Sequence, residues 1–538
     1  MTGRQEDAGL DIGAHLWGIA WPLLAGFALG FIVLRTLRQR GLRWSWALAG
    51  APLSYLAVFV EWHLGFLFAV ATATASWHGA RAHTETIQRG GSEAREQAEA
   101  PGPLRWALAR LSARKGSERR LRGDRLALGS TRGGGVCQVP FGLDRGVHAL
   151  VCGATGSGKT VTQAAILAAY VDAGFGAIVL DPKGDRTLRE TAQRAALESN
   201  SRFIEWTPSG PAPYNPLARG GPTEVVDKCL AAHRFSEPHY ELATRRLLGH
   251  ALATMQAAGM WPPTLSGLVA HMDPERLDAL ASKVGGDTAE RVGAYVDGLG
   301  ERGKADLGGG RDRLAVLVES ELGRWLDPSL GEGEEIDLAL ALRCGDVAYF
   351  DLDADRYPGA AKLLAAALLI DLVGLSADLQ EMRGGGLVVI DEFAALAAEQ
   401  VSRLFARARS ACLSLLFGTQ SLADLRGARP EDPSDTLTEQ VLSNIEYAVV
   451  HRVGDPDSAE RLARVAGTAP AWAVTERVSA NGAVLAAGEG TRTRQRDFLI
   501  GPDRFKRLGV GEAVVIDPAA RHPAQVVQIW PPQGQIRS

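Results

Sequence analysis

The sequence predicts an α/β protein with a mostly parallel β-sheet, an all-helical insertion and N-terminal transmembrane helices. Short apolar runs alternate with helical stretches, which is typical of a parallel sheet with helices on both faces. These runs predict strands at 147–152, 177–181, 202–206, 346–352, 387–391, 413–417 and 446–453, and a last strand at 513–517. Residues 222–335 interrupt the alternation with helical periodicity and almost no strand signal, and they are predicted to form the insertion.

Residues 1–80 are predicted to form a transmembrane anchor. The run Leu16 to Leu34 is uncharged over 19 residues. As a helix it would be about 28 Å long, close to the thickness of the hydrocarbon layer. A second apolar stretch, Trp44 to Trp77, is interrupted only at Glu61 and His63 and is long enough for two short spans. We therefore predict three spans, at about 16–34, 44–60 and 62–78.

The basic residues near the first span predict its orientation. The loop that follows carries Arg35, Arg38, Arg40 and Arg43, and positively charged loops stay cytoplasmic. Three spans then place the N-terminus outside and the rest of the chain in the cytoplasm, as a multi-pass protein of the cell (inner) membrane. The alternative has two spans, one long and tilted, and runs against the positive-inside preference.

The net charge of −4 hides two regions of opposite sign. Residues 1–150 carry 18 Lys and Arg against 11 Asp and Glu, so the remainder is acidic. Residues 81–126 form a predicted basic juxtamembrane linker, with most of its charge between Arg105 and Arg125. Such a cluster binds membrane lipids, attracts nucleic acid, or is only a solvated linker. The five cysteines stand far apart, which excludes a zinc ribbon and a disulfide scaffold.

A phosphate-binding loop follows the first predicted strand. The pattern GxxxxGK[ST] is complete, and its eight residues are Gly153, Ala154, Thr155, Gly156, Ser157, Gly158, Lys159 and Thr160. Glycines let backbone N–H groups surround the phosphates at a helix N-terminus. Lys159 is predicted to neutralise the β and γ oxygens, and the Thr160 hydroxyl to ligate Mg²⁺. Only 8 of the 58 basic residues are Lys, which makes a chance match improbable. ATP and Mg²⁺ are the predicted cofactors.

Several residues at predicted strand ends complete this site. Asp391 follows a buried strand and is predicted to hold the Mg²⁺ shell, while Glu392 polarises the attacking water. Gln420 follows another strand, where its amide can hydrogen-bond the γ-phosphate or the water. Arg403, Arg407 and Arg409 lie on a predicted helix between these strands. They are either a solvated face or the source of an arginine finger for a neighbouring subunit, with Arg409 the first candidate.

The order of motifs resembles that of the type IV coupling proteins of the TraD/TraG kind, in the HerA–FtsK group of P-loop NTPases with a RecA-like fold. After the spans come GATGSGKT, LDPKGD, YNPL, the helical insertion, VAYFDLDADRYP, VVIDEFAAL, GTQS and RVGDPDSAERLA. The resemblance covers about residues 127–530. By this resemblance, residues 127–221 and 336–538 form the motor domain. Lys159 and Thr160 match the Walker A pair, Asp391 and Glu392 the Walker B pair, Gln420 the conserved glutamine and Arg409 a trans-acting arginine.

The resemblance implies a hexameric ATPase that moves single-stranded DNA and its bound relaxase into a conjugation or type IV secretion channel. An FtsK-like translocase of duplex DNA is the first alternative. A nucleotide-binding docking receptor without motor activity is the second, and it would require a damaged catalytic set. Two departures from the family stand out: three predicted spans in place of the common two, and no long acidic C-terminal tail.

Overall fold

The structure is a computed structural model of the full chain. It describes residues 12–39, 44–89, 121–131, 135–231, 237–331, 333–382, 385–392, 398–425, 436–476, 490–519 and 521–532. Its strands are β1 Leu121–Arg122, β2 Arg125–Thr131, β3 Val136–Pro140, β4 His148–Cys152, β5 Gly176–Asp181, β6 Phe203–Trp206, β7 Val347–Asp351, β8 Gly386–Ile390, β9 Leu413–Thr419, β10 Tyr447–Val450, β11 Thr468–Glu476, β12 Gly490–Phe498, β13 Glu512–Ile516 and β14 Gln525–Ile529.

Helices precede, flank and interrupt these strands. They are α1 Ile12–Gln39, α2 Gly50–Val58, α3 Trp62–Arg89, α4 Lys159–Asp172, α5 Arg186–Glu198, α6 Pro222–Ala231, α7 Pro238–Ala257, α8 Leu265–His271, α9 Pro274–Val284, α10 Gly286–Asp297, α11 Glu301–Glu319, α12 Gly323–Leu326, α13 Leu338–Cys344, α14 Pro358–Met382, α15 Ala398–Ala408, α16 Thr436–Asn444, α17 Pro456–Ala466 and α18 Pro502–Lys506. Between α6 and α12 the described residues are helices and connections.

The predicted α/β class with a mostly parallel sheet is confirmed. Twelve strands of the described residues form one sheet, in which β10, β4, β9, β8, β5, β7 and β6 are consecutive and parallel. These seven correspond to the first seven of the eight strands that the apolar runs predict. The central strands are buried on both faces, β4, β5 and β8 along their whole length. Burial on both faces explains why their sequences are continuous apolar runs rather than alternating ones.

The antiparallel side of the sheet differs from the prediction. Beyond β10 the order continues with β13, β14, β2 and β1, and β3 pairs with β2. The predicted last strand, 513–517, corresponds to β13, and one more strand, β14, follows it. The sheet also begins earlier than residue 127: β1 and the first two residues of β2 lie within the predicted linker 81–126, and these strands include Arg122 and Arg125. The rest of the basic cluster, from Arg105 to Arg120, lies outside the described residues.

A buried ion pair joins the insertion to the core. Lys228 on α6 pairs with Asp371 on α14, and both side chains have at most 1% of their surface exposed. The Lys228 ammonium also donates to the carbonyl oxygens of Pro216 (3.2 Å) and Arg219 (2.8 Å). Tyr214 donates its hydroxyl to Asp371 at 2.7 Å. The network therefore holds the loop after β6, the first helix of the insertion and the long helix α14 together.

Two helices of the described residues are long and apolar enough to cross a membrane. One is Ala20–Leu37 within α1, and the other is Pro358–Leu379 within α14. The second is 72% buried and lies in the main apolar core, so it is a core helix of the α/β domain. Within the predicted second span, 44–60, residues 44–58 form a short 3₁₀ helix, Trp44–Ala49, and then α2. Helices α1 and α2 both pack against α3.

Candidate nucleotide-binding site

The phosphate-binding loop lies where the sequence places it, between β4 and the N-terminus of α4. Its first residues are fixed by neighbouring strands, because the Gly153 N–H donates to the Thr419 oxygen (3.1 Å) and the Ala154 N–H to the Arg452 oxygen (2.8 Å). Gly156 and Gly158 have φ values of 73° and 110°, which L side chains rarely adopt. The loop therefore needs glycine at these two positions to expose its N–H groups.

Lys159 lies between the two predicted acids. Its ammonium is 2.8 Å from Asp391 Oδ1 and 2.7 Å from Glu392 Oε1. Burial lowers the pKa of Lys159, but the ion pairs with Asp391 and Glu392 outweigh burial, and the pKa is raised. The structure thus brings Lys159 together with two adjacent acids that lie 232 and 233 positions further along the chain. A nucleotide phosphate would compete with these carboxylates for the ammonium.

Asp391 is held by two residues that the sequence analysis missed. Its Oδ1 accepts from the buried Gln163 amide at 2.9 Å. At Gly418 on β9 an added Cβ would lie 2.0 Å from the same oxygen and 2.3 Å from Gln163. Only glycine fits there without moving the carboxylate. Gln163 could have been found, since it stands one helical turn after Lys159 and shares its face of α4.

Glu392 has an unusual backbone conformation. Its φ is 43°, in the left-handed region that costs energy for a residue with a Cβ. The side chain is 13% exposed and also lies 3.5 Å from the Lys183 ammonium. Strained residues cluster at functional sites, and Glu392 is at the carboxyl end of a central parallel strand, where open α/β sheets bind ligands. Its position fits a group that acts on a bound nucleotide.

Thr160 has a partner that was not predicted. Its hydroxyl donates to Asp185 Oδ2 at 3.0 Å, at the start of α5. In the part of the chain that the structure describes, no three acidic, His or Cys side chains are grouped closely enough to hold a metal. Mg²⁺ usually binds one or two protein groups together with substrate phosphates and water. Thr160 and Asp391 offer the hydroxyl and the carboxylate that such a shared site requires.

Gln420 and Arg409 lie at opposite ends of β4. Gln420 follows β9, whose last residue pairs with Cys152, so it stands beside the phosphate-binding loop. Arg409 is one residue beyond the end of α15, not on the predicted helix. It pairs with Glu446 at 2.7 Å, and Glu446 accepts from the His148 N–H at the start of β4. Arg409 is therefore remote from the loop of its own chain, and a role in a neighbouring subunit stays a prediction.

A buried histidine supports the phosphate-binding loop from behind. His451 Nδ1 bonds the Glu512 carbonyl oxygen (3.0 Å), so this nitrogen carries the hydrogen. Nε2 then accepts from the Thr162 hydroxyl on α4 at 2.8 Å. An added Cβ at Gly153 would lie 2.6 Å from the His451 Cβ. His451 comes directly after β10, and its neighbours in the sequence form no motif that would indicate this role.

We predict that buried histidines make the stability pH-dependent. Burial lowers the pKa of His451 to about 4, and burial with the nearby Arg409 charge lowers that of His148 to about 3. Both are neutral when folded, whereas the unfolded chain takes up protons below about pH 6.5. The free energy of unfolding is therefore unaffected by these histidines above that pH, and it falls as the pH drops towards 4.

The variant His451→Gln should therefore reduce the loss of unfolding free energy between pH 7 and pH 5 by about 2 kcal/mol. Chemical unfolding of the full chain in detergent at both pH values measures this difference. His239→Gln, which removes an exposed histidine on α7, is the matched control. An unchanged difference in His451→Gln would contradict the prediction.

Comparison with known proteins agrees with the resemblance seen in the sequence. Residues 387–509 match the family described as the TraM recognition site of TraD and TraG. No curated protein matches the chain significantly in sequence. The solved structure of the conjugative coupling protein TrwB with sulphate is 16% identical, with a TM-score of 0.54, over 80% of this chain and 94% of that chain. TrwB in complex with ADP and Mg²⁺ is 18% identical, with a TM-score of 0.53, over the same shares. The chain is thus similar to the TraD, TraG and TrwB coupling proteins and shares the TrwB fold.

Proposed function

We propose that this chain is a membrane-anchored ATPase of the type IV coupling protein kind, which uses Mg²⁺ and ATP to recruit and translocate DNA–protein substrates. The observation that carries the proposal is the convergence of Lys159, Asp391 and Glu392 within 2.8 Å at the carboxyl edge of the parallel sheet. The family match over residues 387–509 and the similarity to the TrwB fold support the same function. A site for nucleotide hydrolysis needs a phosphate-binding cation and a base for water, and Lys159 and Glu392 supply both.

The mechanism follows from the groups in this site. The loop N–H groups and the Lys159 ammonium bind and neutralise the phosphates, and the N-terminus of α4 adds its positive dipole end. Thr160 and Asp391 would hold Mg²⁺, which would help to neutralise charge on the phosphates. Glu392 takes a proton from the attacking water, and Gln420 orients that water or the γ-phosphate. Arg409 would stabilise charge on the nucleotide of a neighbouring subunit in a homo-hexamer.

The N-terminal helices support a place in the cell membrane. Of the 27 large apolar side chains that are exposed in the described residues, 17 lie between Trp21 and Trp77. A soluble surface rarely concentrates apolar groups in this way, whereas a lipid-facing surface requires it. We propose that α1 and α3 cross the membrane and leave the ATPase domain in the cytoplasm. The predicted second span, over 44–60, stays part of this proposal.

The proposed cargo is single-stranded DNA with a bound relaxase, which is delivered to a conjugation or type IV secretion channel. The full chain, reconstituted in vesicles that contain anionic lipid, should hydrolyse ATP severalfold faster with single-stranded DNA than without DNA. Stimulation by duplex DNA alone would replace this proposal with the FtsK-like one. Nucleotide binding with no turnover under any condition would favour the docking receptor.

A further inference from the structure

The loop that follows β5, residues 181–185, has an unusually fixed geometry. Asp181 is fully buried, and its carboxylate accepts from the N–H groups of Lys183 and Gly184, each at 2.9 Å. It also accepts from the Asp185 N–H and from the Tyr349 hydroxyl. Gly184 has a φ of 69°, and an added Cβ there would lie 2.9 Å from the Asp351 carboxylate. One buried acid therefore fixes the backbone that carries Lys183 and Asp185.

Asp185 divides its two oxygens between two tasks. Oδ1 accepts from the N–H groups of Thr187 (2.8 Å) and Leu188 (3.0 Å) and so caps α5. Oδ2 accepts from the Thr160 hydroxyl at 3.0 Å. A hydroxyl has one hydrogen and two lone pairs. With the hydrogen directed to Asp185, the lone pairs of Thr160 are directed elsewhere and are available to a cation.

Lys183 reaches the other functional carboxylate. Its ammonium is 3.5 Å from Glu392 Oε1, the same oxygen that Lys159 contacts at 2.7 Å. Lys159 is 9% exposed, whereas Lys183 is 49% exposed and points into the site from its rim. When phosphates engage Lys159, Lys183 is the cation left beside Glu392. Lys159 can therefore leave Glu392 for the phosphates without leaving this carboxylate unpaired, because the Lys183 ammonium stays beside it.

We infer that the loop 181–185 positions the hydrolytic site: Asp185 orients the Thr160 hydroxyl for Mg²⁺, and Lys183 holds Glu392 when Lys159 turns to the phosphates. Neither residue reacts with the nucleotide, so both are positioning residues. The inference rests on the proposed ATPase function, but its Mg²⁺ part can be tested by binding alone. It also explains why two of the few lysines, Lys159 and Lys183, converge on one carboxylate.

The variant Asp185→Asn tests the first part. Asn caps a helix as well as Asp does, so the full chain should unfold at an unchanged temperature. Its single oxygen is used by the cap, and its amide would present N–H groups to Thr160. The probe is a fluorescent ADP, whose affinity is measured with Mg²⁺ and in EDTA. The factor by which Mg²⁺ raises the affinity should be about tenfold smaller in the variant than in the natural protein, while the affinity in EDTA stays the same. An unchanged Mg²⁺ gain would overturn this part.

The variants Lys183→Met and Lys183→Arg test the second part. Lys183→Met should lower kcat for ATP severalfold with an unchanged KM, and Lys183→Arg should recover most of the rate. Lys283→Met, at an exposed position on α9, is the matched control. A rise in KM without a change in kcat, or equal loss in the Arg variant, would overturn the positioning role. If the natural protein binds Mg²⁺–ADP but turns over no ATP, the proposed function fails while the Asp185 result still stands.

Discussion

Replacing Glu392 by Gln is expected to lower the rate of ATP hydrolysis by at least about two orders of magnitude while nucleotide binding persists. Gln has nearly the same shape but cannot take a proton from water at neutral pH. Lys159 keeps its partner Asp391, with the ammonium 2.8 Å from Oδ1, so the phosphate-binding cation stays in place. Single-turnover hydrolysis and fluorescent-nucleotide binding by the full chain measure the two effects separately.

Two further variants sharpen this test. Lys159→Ala should lose nucleotide affinity as well as turnover, because it removes the phosphate-binding cation and leaves Asp391 and Glu392 without it. Glu190→Gln changes an exposed glutamate that pairs with Arg186 on α5, and it is the matched control. If Glu392→Gln turned over ATP at the rate of the natural protein, Glu392 would not be the base. The docking receptor would then become the better description.

The sequence predicts the parallel half of the sheet well and the antiparallel half poorly, for a physical reason. Strands β4, β5 and β8 are buried on both faces, so apolar residues fill every position. Strand β3 alternates between partly exposed and buried positions, and β14 carries two half-buried glutamines among its apolar residues. Their short mixed patterns do not differ from those of a polar loop. The positive charge of Arg122 and Arg125 also made this region resemble a linker.

The candidate site shows a similar division. Lys159, Thr160, Asp391 and Glu392 were predictable because their motifs stand directly after apolar strands. Lys159 contacts both acids, whereas Thr160 bonds Asp185, and the roles of the four stay predictions. Gln163, one helical turn after Lys159, could also have been found, but the other residues that support the site could not, because they come from elements joined only by the fold. His451 follows β10 and bonds Thr162, Gly418 lies within β9 beside Asp391, and Asp185 caps α5 and bonds Thr160.

The buried pair Lys228–Asp371 gives the second large expected effect, on stability rather than activity. Replacing Lys228 by Met should lower the free energy of unfolding by about 3–5 kcal/mol, because it leaves the Asp371 carboxylate buried without its cation. Burial already raises the pKa of Asp371, against the opposing effect of Lys228. Chemical unfolding of the full chain in detergent, followed by tryptophan fluorescence, measures the loss.

The double variant Lys228→Met/Asp371→Leu separates the cost of an unpaired charge from the cost of a changed shape. Apolar residues of similar volume often replace a buried pair with little loss, so the double variant should recover most of the stability lost in Lys228→Met. The recovery is incomplete because the Tyr214 hydroxyl and the carbonyl oxygens of Pro216 and Arg219 lose their partners.

An exposed pair provides the control for this cycle. Arg291 and Asp287 on α10 are 3.3 Å apart, with 64% and 80% of their side-chain surfaces exposed. Arg291→Met should therefore change the unfolding free energy by less than about 1 kcal/mol. If Lys228→Met cost no more than Arg291→Met, the carboxylate would have to be neutral or hydrated in the folded protein. The link between α6 and α14 would then depend on apolar packing rather than on the ion pair.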